Sequence, residues 1–368
     1  MAFGGNRLAP AQPTSESKQL NVAVIGYGMA AKVFHTPLIS SVSGLRLSHI
    51  VSSKPEVVKQ DWPGVAVLAT PADAFAHPEI DLIVVATPND SHFDLARRAL
   101  AAGIHVVVDK PFTTTAAEAA ELAALAGKSG RVLAVFQNRR WDGDFLTLRG
   151  LIAEGRLGEV THFESHYDRY RPLVRKRWRE QPGPASGIWY DLGPHLVDQA
   201  LQLFGAPEGI RADLETQREG AQTVDYFHVV MRYGRARVIL HASSLVRGDL
   251  PRFIVHGRAA SYIKYGMDSQ EEALKRGERA GGANWGVDPR DGDLIRSEND
   301  VETSAKVPTL RGNYPGYYEA VRDTILRGAA NPAPAEYGVL VMRVLEAGAE
   351  SSAGRREIAF GGAVAGGV

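Results

Sequence analysis

From Leu20 onward the chain alternates short runs of β-branched and aliphatic residues with longer alanine-rich stretches. The runs LNVAVIG, LRLSHIVSS, VAVLAT, DLIVVATP, HVVVDKP and RVLAVFQN read as strands, and SHFDLARRALAAG and TAAEAAELAALAGKSG read as helices between them. Because the apolar runs are nearly continuous, the strands should be buried on both faces, which predicts a parallel sheet covered by helices on each side. Near Asn138 the rhythm changes. One amphipathic helix, FLTLRGLIAEGRLG, precedes runs with a period nearer two, EVTHFESHYDRY, TVDYFHVVMRYG, RARVILHASSLV and RFIVHG, which predict a large, mostly antiparallel open sheet. Residues 266–305 are polar and glycine-bearing without a sustained period and read as a long excursion from that sheet; EYGVLVMRVLEAGAESS reads as a closing helix. The expected architecture is therefore α/β followed by α+β. Residues 1–18 are expected to be a disordered leader, 19–137 the first domain, and 138–368 a second domain for substrate binding and oligomerisation.

Composition narrows the function. Lys plus Arg and Asp plus Glu both total 42 in 368 residues, so no net field draws the chain to nucleic acid or to an anionic membrane. No run approaches the ~18 apolar residues of a membrane span. The partner expected is a small molecule. There are no cysteines, which removes disulfides, thiolate metal sites and cysteine nucleophiles together and fits a cytoplasmic protein. The histidines are scattered, with no H-x-x-x-H or paired carboxylate at metal spacing, so the sequence predicts no metal.

The most specific local pattern is VAVIGYGMAAKVFH, where Gly26, Gly28 and Ala31 form G-x-G-x-x-A between the first strand and a helix. The first glycine permits the tight turn, the second lets the backbone approach a pyrophosphate, the alanine allows close helix packing, and the helix N-terminus favours the anion. This predicts a Rossmann dinucleotide-binding domain, with Gly26, Tyr27, Gly28, Met29 and Ala30 at the cofactor. An acidic residue at the end of the second strand is the usual partner of the ribose 2'-hydroxyl. Here IVSSKPE stands instead: Ser52, Ser53 and Lys54 offer hydroxyls and a cation, which suits a 2'-phosphate, so NADP(H) is favoured and NAD(H) is the second choice.

ATPNDSH ends the fourth strand and VDKP the fifth, which puts both at the carboxyl edge of the sheet where open α/β sheets bind ligands. Thr87, Pro88, Asn89, His92 and Asp109 are accordingly expected beside the cofactor, with Lys110 near its nicotinamide end. A strand-end lysine is commonly a solvated group; the following Pro111 fixes the backbone and can aim it. In GIWYDLGPHLVDQALQLFG, Asp191 and His195 are four apart, a spacing that puts two side chains on one helical face. Histidine titrates near neutrality and can take a hydroxyl proton as a hydride leaves the same carbon.

Taken together, the G-x-G-x-x-A turn, TPNDSH, DKP and YDLGPHLVDQ resemble the glucose-fructose oxidoreductase and inositol dehydrogenase (Gfo/Idh/MocA) family over roughly Leu20 to Ser352. FHTPLI, NRRWDGDFLTL, HYDRYRPLVRKRW, VDYFH and SYIKYGMDSQEEAL are most similar to its bacterial scyllo-inositol 2-dehydrogenase subgroup. The resemblance implies a catalytic lysine at Lys110, aspartate at Asp191 and histidine at His195, and a dehydrogenase acting on a cyclitol or sugar hydroxyl, with scyllo-inositol and scyllo-inosose as the lead pair. Asp109 departs from the glutamate many members carry there. A polyol pocket needs bidentate polar groups and flat apolar faces; the expected substrate contacts are Lys110, Asn138, Arg140, Tyr170, Trp178, Asp191 and His195, although aromatics on a sheet equally often fill a core. An NAD-dependent glycosidase with transient oxidation and a non-catalytic dinucleotide sensor are the alternatives. A homodimer or homotetramer through the C-terminal sheet is expected.

Overall fold

The structure, a computed structural model, describes residues 19–175 and 180–361. The leader expected over residues 1–18 and the substrate contact expected at Trp178 lie outside them. All six strands read from the first half are present: β1 (Leu20–Ile25), β2 (Leu45–Val51), β3 (Ala66–Leu68), β4 (Leu82–Val85), β5 (His105–Val108) and β6 (Leu133–Val135). They form one parallel sheet in the order β3-β2-β1-β4-β5-β6, with the order reversing between β1 and β4. Val22, Val24, Val84 and Val107 face one helical layer while Ile25, Ile83, Val85 and Val106 face the other, which is why the runs show no polar alternation. The helix Ala116–Ser129 starts with a capping box between Thr115 and Glu118 and stops at Gly130, whose left-handed backbone (φ 63°) ends it.

The second half builds a nine-stranded sheet from β7 (Val160–His166), β8 (Gly209–Glu215), β9 (Tyr226–Tyr233), β10 (Ala236–Ser243), β11 (Pro251–Gly257), β12 (Ser261–Tyr265), β13 (Gly292–Glu298), β14 (Val301–Val307) and β15 (Ile358–Ala359). Its order is β14-β13-β12-β11-β7-β10-β9-β8-β15. Every pairing is antiparallel except β7 with β10. Phe163, Phe227, Val229, Leu240 and Phe253 point to one side and pack beneath the helices Gly193–Phe204 and Ala335–Gly354. The other face is open.

Residues 266–305 are more regular than their sequence suggests. They contain a helix, Gln270–Lys275, and the β13–β14 hairpin, whose turn uses Asn299 and Asp300 at φ 50° and 62°. The hairpin's period is hidden because β14 is exposed on both faces down to Ala305–Lys306, so nothing selects apolar residues on alternate positions. The chain then returns to the first sheet. Helix Pro315–Arg327 brings Tyr317, Tyr318 and Val321 into the core shared with β1 and β4, and helix Ala335–Gly354 packs on Ala116–Ser129.

Candidate active site

The carboxyl ends of β1, β5 and β6 open into a cleft of about 300 Å³ that is closed from the other side by the C-terminal half. Met29, Ala30, Asp109, Lys110, Asn138, Asp191 and His195 line it, so seven of the expected residues converge from four separate stretches of chain. The Gly26 backbone has φ +93°, and a Cβ there would sit 2.7 Å from the Ala86 carbonyl oxygen and 2.9 Å from Thr87 Cγ2; only glycine makes this turn. At Gly28 a Cβ would meet no atom within 4 Å, leaving its backbone open to approach. The residues of this turn fit the pyrophosphate of a nicotinamide dinucleotide.

Lys110 is joined to Pro111 by a cis peptide bond. Its Nζ donates to the backbone oxygen of Asp191 at 2.5 Å and to Asp191 Oδ1 at 3.0 Å. Arg169 lies 3.9 Å from the other Asp191 oxygen, so the carboxylate is held between two cations. Asp191 and His195 do not share one continuous helix. Helix Gly187–Asp191 ends, Leu192 intervenes, and Gly193–Phe204 begins. A Cβ on Gly193 would come 2.7 Å from the Trp189 ring, so the junction closes only with glycine there. His195, 6% exposed, stands in the first turn of the second helix, and its Nδ1 has no hydrogen-bond partner among the described residues. Burial, and after it the charges of Lys110 and Arg139, hold the imidazole well below the ordinary histidine range, against an opposing effect from Asp191. The burial thus favours the neutral form of the ring. At Asp109, burial raises the carboxyl, but His35, whose Nε2 is 3.8 Å away, and Lys110 outweigh it and bring it down to about 2.

Three expectations are corrected. Arg140 does not face the cleft: it pairs with buried Asp198 at 2.8 and 2.5 Å and donates to Pro332 O at 2.6 Å. The 3-10 turn Asn138–Trp141 sends Arg139 to the cleft instead, where it bonds Tyr314 and Glu271. Tyr170 is 43% exposed and stacks under the Arg247 guanidinium in a separate cavity, because Tyr167 and Arg169, one register over, take the cleft side. His92 is turned inward and does not line the cleft. It is 1% exposed, and its two ring nitrogens lie 2.9 Å from Pro111 O and 3.0 Å from Thr87 O, tying the ends of β4 and β5 together.

The remaining expected cofactor residues are placed around the same edge. Thr87 packs against the Gly26 turn, Pro88 is exposed, and buried Asn89 donates to Ala185 O at 3.0 Å. Ser52 is half-buried while Ser53 and Lys54 are exposed beyond β2, and Lys54 makes no ion pair among the described residues. Tyr27 donates to Asp61 at 2.9 Å and lines a neighbouring cavity with Trp62. Glu271 and Lys275, on the helix within the supposed excursion, were missed as cleft residues. Their signal was present: Ser269 followed by Glu272 has the spacing of a helix start, and Glu271 and Lys275 are an i,i+4 pair.

Family models describing an oxidoreductase NAD-binding Rossmann fold and an oxidoreductase C-terminal alpha/beta domain match residues 20–137 and 149–360. The chain belongs to the Gfo/Idh/MocA oxidoreductase family. Within this family it is 55% identical to the uncharacterized oxidoreductase YdgJ of Escherichia coli, over 91% of this chain and 97% of that one. It is 41% identical to the scyllo-inositol 2-dehydrogenase (NADP(+)) IolW of Bacillus subtilis, over 92% and 95%. The solved structure of YPO2259 from Yersinia pestis superposes with a TM-score of 0.91 at 50% identity, covering 95% of this chain and 99% of that one. The protein is thus a Gfo/Idh/MocA dehydrogenase with a nicotinamide dinucleotide cofactor, and its fold is the one its hydrophobic pattern predicts.

Proposed function

We propose that this Gfo/Idh/MocA dehydrogenase interconverts a secondary alcohol of a cyclitol or sugar and its ketone with NADP(H), with scyllo-inositol and scyllo-inosose as the lead pair. One observation carries the reading: a lysine ammonium clamped on Asp191 and a buried neutral imidazole share a cleft at the glycine turn. His195 takes the hydroxyl proton in oxidation and returns it in reduction. Lys110 holds the reacting oxygen and stabilises the negative charge that develops there, in a site where most water is excluded. Asp191 keeps the ammonium in place and limits the depression of the His195 pKa. The bound nicotinamide supplies hydride chemistry at the carbon bearing that oxygen.

Among the described residues, six lysines and arginines and three acidic side chains line the cleft, a balance that suits a polyanionic cofactor. Exposed Lys54, which makes no ion pair among the described residues, stands beside Ser53 and supports NADP over NAD, as does the cofactor named for the Bacillus relative. The open sheet face carries half-buried Val230, Ile239, Ile254, Ile263 and Ile295, which supports a homo-oligomer through this sheet. No helix among the described residues is long and apolar enough to cross a membrane, and the cysteine-free chain supports a cytoplasmic location. The test is a panel of scyllo-inositol, myo-inositol and glucose with NAD and NADP, followed at 340 nm. Reduction of NADP with a cyclitol or sugar is expected; no absorbance change on any member with either cofactor refutes the proposal.

A further inference from the structure

On the open face of the large sheet, away from the catalytic triad, a second group of ligating side chains comes together. His166 ends β7, Asp168 follows two residues later, and His241 of β10 lies opposite His166 in the parallel ladder. One ligand atom from each of the three lies within 4.8 Å of the others. His166 Nδ1 is 3.4 Å from Asp168 Oδ2, and His241 Nε2 is 3.3 Å from Asp168 Oδ1. A tetrahedral ion with bonds of ~2.0–2.1 Å to nitrogen and oxygen separates its ligand atoms by roughly 3.4 Å.

The hydrogen bonds around the group leave ligand atoms available. The Nε2 of His166 is 2.8 Å from Glu164 Oε2, and the other Glu164 oxygen is 2.7 Å from His162 Nε2. A carboxylate on one ring nitrogen fixes the tautomer and turns the other nitrogen into a lone-pair donor, the usual arrangement behind a metal-bound histidine. Asp168 Oδ1 accepts the Ser243 amide at 2.8 Å, but Oδ2 is buried with no hydrogen-bond partner among the described residues. The His166 and His241 contacts with this carboxylate, at 3.4 and 3.3 Å, bring the three side chains to one point.

We propose that His166, Asp168 and His241 bind a divalent first-row transition metal, with Zn²⁺ the best match to two imidazoles and one carboxylate. A cavity of about 650 Å³ adjoins the group and is bordered by His166 and Asp168. The ion is a structural clamp. Tyr167 and Arg169 alternate with its ligands and line the catalytic cleft, and the same segment is pinned to β10 by Tyr167 N to His241 O at 2.9 Å and Arg169 N to Ser243 O at 3.0 Å.

The test uses the full chain, stripped with chelator, dialysed and titrated with Zn²⁺ by calorimetry and with Co²⁺ by visible absorption. One ion per chain is expected, with a low-coordinate Co²⁺ spectrum. His241→Ala and Asp168→Asn should abolish this stoichiometric uptake, and Glu164→Gln should weaken it ~10 to 100-fold by releasing the His166 ring. Circular dichroism checks that each variant is folded; if the ligand variants are not, the Glu164→Gln titration decides. Absence of saturable binding by the unaltered chain, or the same affinity in a folded His241→Ala or in Glu164→Gln, overturns the site.

Discussion

Replacing Lys110 with Met keeps most of the apolar stem and deletes the ammonium that donates to Asp191 O at 2.5 Å and Oδ1 at 3.0 Å. Two effects follow from this geometry. The first is on rate: loss of one preorganised donor to a developing oxyanion costs about 2.7–4 kcal/mol, or ~100 to 1,000-fold in kcat. The second is on pH. Protonated His195 cannot accept the substrate proton, so oxidation fails as pH falls through the folded pKa of this ring. In the unaltered protein that limb lies below the ordinary histidine value, because burial and then Lys110 and Arg139 disfavour the charged form. Deleting the Lys110 charge removes the largest of the charge effects, so the acid limb of kcat/KM should move to higher pH. The assay is kcat and kcat/KM against pH for oxidation of the best polyol, with dinucleotide affinity measured by fluorescence to show that the cofactor still binds. Lys110→Arg should not restore the rate, since a planar guanidinium does not replace a compact donor in the same space. Near-normal turnover in the Met variant, or a lowered rate with an unmoved acid limb, refutes the assignment of Lys110.

His195→Ala should lower turnover ~100 to 10,000-fold while leaving dinucleotide affinity nearly intact, as measured by steady-state rates and a binding titration; an equal loss of cofactor binding would show that the helix start had been damaged. Lys54→Ala should raise KM for NADP more than for NAD, and Ser53→Asp should reverse the preference by bonding a ribose hydroxyl and repelling phosphate; an NADP-to-NAD ratio unchanged by both points to another loop. Arg140→Met leaves buried Asp198 without its partner and should cost about 3–5 kcal/mol in a denaturant titration, with substrate KM unchanged in the folded fraction. A raised KM at unchanged stability would return Arg140 to the substrate site.

The sequence by itself determined the elements whose local pattern answers to one physical demand. Nearly continuous apolar runs mark strands buried on both faces, and the spacing of Gly26, Gly28 and Ala31 is dictated by a turn that tolerates no Cβ at its first position. Strand ends, a helix start and family motifs single out Lys110, Asp191 and His195 in the sequence, and the structure brings the three to one cleft. Tertiary structure decided the rest. Arg139 and Arg140 are adjacent and chemically alike, and only a 3-10 turn against Asp198 and Glu271 assigns one to the core and the other to the cleft. Tyr167, Arg169 and Tyr170 differ by strand register, which the pairing of β7 with β10 sets and no local composition records. The β13–β14 hairpin escaped notice since a strand wet on both faces has no alternation to read. His241 lies more than 70 residues from His166 and Asp168, and it takes the parallel ladder of β7 with β10 to bring the three side chains together.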